Sequence, residues 1–559
     1  MGARLGTPVD TGFQDQARRL VKVMPKSART ETLTRRRSLG AFYTPSSAAD
    51  FMAAWILEDA PKVVLEPSFG DGTFLAALQR VSADLLCAPP RMIGVEIDEQ
   101  AFARTLAAGV LDPSDAILSD FCQVKPAEVD AVIGNPPYVR LRHLTESAAA
   151  AAKAAAAAQL GFDMDPAGSL WMPFVAHAVP FIRSGGRLAL VLPVDATYVR
   201  YARPLWEYLG ENFGELRVVR SRERLFPDLL QDVVLLLCSE KGAKCSSVQY
   251  SAYATVDELL VNSAEIEVDI SLAEILDGKR PFTWAHVDPA LSHLLESTIF
   301  RGLQPAKEVV RFRIGYVSGD KEFFDPSKET RSRFCLEGDS LVRAISSGRK
   351  LRKAGLYTSR IADESFDRLF LPRNGLLGDA EKQYVEYGKE IGVDQRYKCR
   401  VREPWYTVPY VDTPDVVLNV FSECPTLVVN DASIAASNSL LCGYVDKISA
   451  RQLAARWYTS LTLLHIEAEV HSLGGGVMVL VPREAGNVKL VGGRDVSEAG
   501  LASVDERLWR GDVKGAYEAG DEAVLKGSVG MSGQEVDLIR AGIESLARWR
   551  TSARGREQA

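Results

Sequence analysis

A strand-like run, Ala131-Val132-Ile133, leads into Gly134-Asn135-Pro136-Pro137-Tyr138, and those residue types in that order suit one kind of reaction. A nitrogen attached to a planar conjugated group is a poor nucleophile because its lone pair is delocalised. Two acceptors, the Asn135 side-chain oxygen and the Pro136 backbone carbonyl, can take its two N–H bonds and localise the pair toward an electrophile. The two prolines restrict the backbone, so the acceptors are in place before reaction begins. No strong base is needed. Tyr138 adds a flat face for a planar acceptor; stacking a nucleic-acid base on such a ring is worth about 1–3 kcal/mol.

An electrophile must be held beside this loop, and three earlier strand tips offer the means. Val63-Val64-Leu65 runs into Glu66-Pro67-Ser68-Phe69-Gly70-Asp71-Gly72, a glycine turn that opens a helix. Glycine there lets the backbone approach a ligand at the carboxyl end of a parallel strand. The turn is neither the three-glycine dinucleotide fingerprint nor, lacking a following Lys, a phosphate-binding P-loop. The next strand, Met92 to Val95, ends at Glu96-Ile97, an acid placed to accept from both hydroxyls of a ribose. A third ends at Ser119-Asp120-Phe121, where Asp120 can accept from an adenine amino group and Phe121 can pack on its ring. Upstream, Thr44-Pro45 precedes a helix over 46–57 and offers a hydroxyl to the polar end of the same ligand. A single glycine corner or strand-tip acid fits an ordinary capped loop equally well. Four such features in this order are far more specific.

The elements that must position these residues alternate in type. Apolar runs at Lys62–Leu65, Met92–Val95, Ala116–Leu118, Ala131–Ile133, Arg187–Leu192 and Val233–Leu237 are separated by helical stretches. That alternation predicts βαβ units and a parallel sheet covered on both faces. After about residue 245 the pattern becomes mixed α and β, and the last stretch is charged and helical. The expected domains are therefore 1–245 with a basic N-terminal arm, 246–484, and a helical extension over 485–559. An almost pure alanine tract from Ser147 to Leu160 predicts an exposed helix, either a connector or a mobile lid.

Composition narrows the classes. With 559 residues, two to four domains are expected. The 47% apolar and 25% charged residues are the balance of a soluble globular chain. No apolar run is long enough to span a bilayer and no signal peptide opens the chain, which predicts no membrane association and a cytoplasmic location. Eight scattered cysteines without a Cys-x-x-Cys pair, and six dispersed histidines, suggest no disulfide framework and no metal site. Net charge is −7, yet the cations cluster: residues 1–40 hold nine Arg or Lys against three acids, and further clusters lie at Arg217–Arg224, Arg349–Lys353 and Arg396–Arg402. Together they are consistent with tracking phosphates.

In these motifs the chain resembles the γ-class N6-adenine DNA methyltransferases of bacterial type II restriction-modification systems. The resemblance is specific over residues 40–240 and looser to about 485. It implies a Rossmann-like class I S-adenosylmethionine methyltransferase domain followed by a mixed α+β DNA-recognition domain. Thr44, Glu66, Gly70, Glu96, Ile97, Asp120, Phe121 and Asn135 then correspond to the contacts of the cofactor S-adenosylmethionine. Asn135, Pro136, Pro137 and Tyr138 form the catalytic loop. Phe226, in Arg224-Leu225-Phe226-Pro227, would stack the flipped adenine opposite Tyr138. Gly315-Tyr316-Val317-Ser318-Gly319, Asn430-Asp431, Ser437-Asn438 and Gly474-Gly475-Gly476 are similar to landmarks of the recognition domain. Gly168-Ser169-Leu170-Trp171 stands where relatives usually carry an acid, Leu and an aromatic. The implied partners are double-stranded DNA and a separate restriction endonuclease whose cutting the modification blocks, with the enzyme acting as a monomer. The same loop also serves methylation of protein glutamine amides and of RNA, usually in shorter chains, and a catalytically silent DNA-binding specificity protein is the remaining alternative.

Overall fold

The structure, a computed structural model, describes residues 44–551 apart from 166–167, 226–231, 262, 298–301, 353, 373–376, 410, 420, 423, 473–476 and 493–495. The chain forms two compact units, Met1–Phe282 and Thr283–Ala559. The first is built on a nine-stranded sheet of β1 (Val63–Glu66), β2 (Arg91–Glu96), β3 (Ala116–Leu118), β4 (Val129–Gly134), β5 (Ile182–Pro193), β6 (Phe213–Ser221), β7 (Val233–Lys241), β8 (Ser247–Tyr253) and β9 (Ile266–Ser271). Their spatial order is β3-β2-β1-β4-β5-β7-β6-β8-β9. Strands β1 to β5 run parallel, and β7 is inserted antiparallel between β5 and β6. The chain builds outward from β1 to β3, then returns to lay β4 on the other side of β1. The resulting switch point is where open α/β sheets bind ligands. This is the expected Rossmann-like class I methyltransferase arrangement.

The helices of this unit are α1 (Ser46–Leu57), α2 (Thr73–Asp84), α3 (Glu99–Ala107), α4 (Glu146–Leu160), α5 (Trp171–Ala178) and α6 (Arg203–Asn212), with shorter ones between and after them. Side chains alternate across a strand, so β5 divides its apolar residues between two cores. Ala189 and Val191 join α1 and α2 through Met52, Ile56, Phe74 and Leu78. Leu188, Leu190 and Leu192 are equally buried on the opposite face. The alanine tract is no exposed lid: α4 packs against α5 and α6, with Ala152, Ala155 and Ala156 buried. Methyl side chains let the helix lie close to its neighbours, Thr145 caps its start, and Gly161 ends it in a left-handed conformation.

Three strands escaped the sequence reading. In β6 the polar residues Glu215, Arg217 and Arg220 interleave with the buried Leu216, Val218 and Val219. The basic run Arg217–Arg224, read as a phosphate-tracking cluster, therefore begins inside the sheet. Arg217 donates to the Tyr253 hydroxyl at 3.1 Å, and Arg222 is paired with Glu265. The break expected after residue 245 falls before β8 and β9, and the first unit closes at Phe282.

The second unit is mixed α+β. Val310–Ile314, Leu440–Val445, Val416–Asn419 and Thr426–Val429 form an antiparallel sheet in that order. A smaller sheet joins Asp367–Phe370, Leu341–Ile345 and Ala435–Ala436. Residues 485–559, expected to stand apart as an extension, are instead built into this unit as far as they are described. Lys489–Val491 pairs with Leu303–Pro305. The helix Gly533–Thr551 shares a core with Leu461 and Leu464. Polar contacts add to that union: Arg550 grips Glu467 with two bonds of 2.8 Å, and Asp521 accepts from Ser460 N and Oγ, each at 2.6 Å. Asn430 is internal, its side chain bonded to Pro414, Ile434 and Thr358.

Candidate active site

At the carboxyl end of β1 the chain turns through Glu66–Gly72 into α2. The turn is tied down from β2 and from α3: Phe69 N donates to Val95 O at 3.1 Å, and Thr105 Oγ1 donates to Gly70 O at 2.9 Å. Two glycines meet real steric demands. Gly72 has φ +76°, and a Cβ there would lie 2.9 Å from Thr105 Cγ2. On β2, a Cβ on Gly94 would lie 2.6 Å from Phe69 and 2.7 Å from Leu111, so the strand must be bare beneath the turn. Gly70, at φ +53°, faces open space.

Glu96, at the tip of β2, is buried and accepts three backbone N–H groups, from Gly70 at 2.8 Å, Ile97 at 2.9 Å and Asp98 at 2.7 Å. Burial raises its pKa against the pull of those donors. The bond to Gly70 links the first two strand tips directly. Ile97 keeps 54% of its surface exposed, and Leu118, the register partner of Glu96 on β3, keeps 49%. An acid flanked by two open aliphatic side chains suits a sugar joined to a flat apolar ring. Leu118 was absent from the sequence-derived set, because an apolar residue on a strand reads as core. Asp120 caps the short turn after β3 by accepting from Cys122 N at 3.0 Å. Phe121 is 2% exposed, its ring centred 5.0–5.3 Å from those of Phe174, His177 and Phe181. It is a wall fixed from behind, while Ile97 and Leu118 are the open faces.

Strand β4 delivers Asn135 to the same edge. Its Nδ2 donates to Thr44 Oγ1 at 3.4 Å, and its carbonyl accepts from Ser68 Oγ at 3.2 Å. Asn135 Oδ1 is buried with no hydrogen-bond partner among the described residues. So is Glu66 Oε2, and burial, with Asp71 and Glu96 adding to it, pushes the Glu66 carboxyl well above the usual range. An unpaired buried acceptor costs about 1–3 kcal/mol, so two at one sheet edge point to a ligand that supplies donors. Tyr138 is half-buried against the α1–α2 core, and its hydroxyl donates to Val191 O at 3.1 Å. Burial pushes the phenol well up, which keeps it neutral.

Beyond the loop, the backbone is clipped to the Gly168–Trp171 segment. Leu170 N donates to Val139 O at 2.8 Å and Leu141 N to Gly168 O at 2.9 Å, while Ser169 Oγ also reaches Val139 O at 3.3 Å. The Gly168–Trp171 segment thus holds the chain just after the Asn135–Tyr138 loop mainly through its backbone. The fold brings Thr44, Glu66, Gly70, Glu96, Ile97, Asn135, Pro136, Pro137 and Tyr138 to one edge, with Asp120 and Phe121 after the neighbouring strand. Phe226 lies outside the described residues, as does the basic stretch 1–40. The residues present fit S-adenosylmethionine: an acid for the ribose, aliphatic walls for the adenine, and a buried carboxyl near a bare glycine turn for the cationic methionine end.

Two family models match the chain: the Eco57I restriction-modification methylase over residues 96–222, and the C-terminal domain of the type II methyltransferase M.Eco57I over residues 279–525. The type II methyltransferase M.AccI of Acinetobacter calcoaceticus is 22% identical over 475 residues, covering 81% of this chain and 85% of that one. M.TthHB8I of Thermus thermophilus is 31% identical over 204 residues, covering 33% of this chain and 44% of that one. The solved DrdV–DNA complex is similar in fold with a TM-score of 0.51 at 12% identity, over 82% of this chain and 57% of that chain.

Proposed function

Because the chain belongs to the type II restriction-modification methyltransferases, we propose that it methylates N6 of an adenine flipped out of duplex DNA, protecting that site from a separate endonuclease. When bound, S-adenosylmethionine supplies an electrophilic methyl group. Thr44, Glu66, Gly70, Glu96, Ile97, Asp120, Phe121 and Asn135 hold it. Asn135 Oδ1 and the Pro136 carbonyl accept the two hydrogens of the target amino group and turn its lone pair toward that methyl group. Tyr138 supports one face of the base, with Phe226 opposite by family resemblance, offsetting part of the few kcal/mol that flipping costs. The neutral Tyr138 phenol takes no proton, and the amino proton leaves to solvent only after transfer.

One observation carries this reading: the Asn135 amide, anchored through Nδ2 to Thr44, keeps a buried acceptor without a partner among the described residues. The test is transfer of tritium from labelled S-adenosylmethionine to duplex DNA, to RNA and to a release factor, followed by sequencing of modified bases. Label on N6 of adenine at one DNA sequence is expected. Label confined to RNA or protein, or found on cytosine, would overturn the proposal.

A further inference from the structure

Three loops of the second unit converge through their backbones. Gly315–Gly319 is stitched to Ser437–Ser439: Asn438 N donates to Tyr316 O at 2.9 Å and Tyr316 N to Ala436 O at 2.9 Å. A Cβ on Gly315 would sit 2.2 Å from Ala436 O, so the approach requires glycine. The Ser437–Ser439 loop is tied to the third, after Leu341–Ile345, by Ser439 Oγ donating to Ser346 O at 2.7 Å.

Onto this cluster the turn Arg396–Arg402 is clamped at three points. Arg402 donates to the carbonyls of Val317 and Ser318, each at 2.7 Å, and of Thr407 at 2.9 Å. Arg396 is ion-paired with the buried Asp320, and Cys399 is fully buried. Those anchors push the residues between them outward. Tyr397 and Val401 are each 65% exposed, and the charged groups of Lys398 and Arg400 sit 5.7 Å and 5.5 Å from the Tyr397 ring centre. Neither cation has an acidic partner among the described residues, although many surface cations of this chain do. A rigid turn that exposes an aromatic ring, an aliphatic side chain and two unpaired cations matches what a protein presents to a DNA groove. The ring also orients the Arg400 guanidinium before any contact forms.

We infer that Arg396–Arg402 is a base-reading element, with Arg400, set by Tyr397, contacting a guanine edge and Lys398 contacting a backbone phosphate. A guanidinium fork matches guanine O6 and N7 in the major groove, whereas an ammonium neutralises a phosphate without reading sequence. The inference rests on the DNA reading proposed above and adds which residues set the sequence.

The test uses the full chain, tritiated S-adenosylmethionine and plasmid DNA, with methylated positions mapped by sequencing. Arg400→Ala is expected to accept other bases at one position where the wild type demands guanine, and to lose about tenfold or more in kcat/KM at the original site. Lys398→Ala is expected to keep the recognised sequence and to reduce the slope of log affinity against log salt by about 0.9. Both variants should bind S-adenosylmethionine as the wild type does and melt at the same temperature, since neither side chain holds another element in place. An Arg400→Ala enzyme with unchanged sequence preference and unchanged kcat/KM overturns the inference while leaving DNA methylation standing. A wild type that labels no DNA overturns both.

Discussion

Replacing Asn135 by Ala separates a structural from a chemical role. Among the described residues the side chain makes one hydrogen bond, the 3.4 Å bond from Nδ2 to Thr44 Oγ1, at the long end of the range. Its loss should cost under about 1 kcal/mol. The Oδ1 has no partner among the described residues, so removing it relieves a buried acceptor. The two effects oppose each other, and the melting temperature should move by no more than about 4 °C. Turnover is different, because the acceptor acts on charge that develops in the transition state. Loss of one such preorganised group typically lowers the rate by about 10² to 10³, or roughly 3–4 kcal/mol. Single-turnover transfer of tritium to duplex DNA measures the second quantity, and a thermal melt with a cofactor titration measures the first. A variant that transfers methyl within threefold of wild type would refute the mechanism. A variant that is inactive only because it has unfolded would refute the stability argument.

Other consequences are measurable in the same system. Glu66 has its pKa raised by burial first, then by Asp71 and Glu96, so its neutral form dominates well above the usual carboxylate range. The folded protein therefore holds this proton more tightly than the unfolded chain, and the stability so gained is lost as pH rises through the folded pKa. A cationic ligand favours the carboxylate, so S-adenosylmethionine affinity should increase over that rise; Glu66→Gln should flatten both trends in calorimetry and melting across pH. Gly94→Ala forces a methyl group against Phe69 and Leu111, and should cost about 1–3 kcal/mol in denaturant unfolding while weakening cofactor binding. Arg550→Met strands the buried Glu467 carboxylate and should cost about 3–5 kcal/mol, much of it recovered when Glu467 is also changed to Met.

The site was far more legible than its surroundings. Strands β1, β2 and β4 are buried on both faces, so they announce themselves as apolar runs, and the residues that follow them lie at the ligand edge by topology alone. Strand β6 was hidden because Glu215, Arg217 and Arg220 read as surface charge, although Arg217 is taken up by Tyr253. Strand β9 was missed for a related reason: Glu267 and Asp269 occupy its exposed face, and a one-sided strand near a presumed boundary resembles a linker. No sequence signal marks Ser68 as the residue that holds the Asn135 carbonyl, since a serine in a glycine turn is ordinary and its partner lies 67 positions away. The alanine tract misled through propensity. Its lack of large side chains suggested nothing to pack, whereas small side chains are what bring α4 close to α5 and α6.

The antiparallel insertion of β7 has a consequence for how such an enzyme can change. Because β6 ends at Ser221 and β7 begins at Val233, paired with Pro193 at the end of β5, their connection leaves the sheet at the edge that carries Gly70 and Asn135. The side assigned above to the cofactor is tightly tied, with a bare Gly94 beneath a turn and Glu96 holding three amides. On the function proposed above, sequence changes between Ser221 and Val233 would act on the side that meets the methyl acceptor and leave those Glu96 bonds in place.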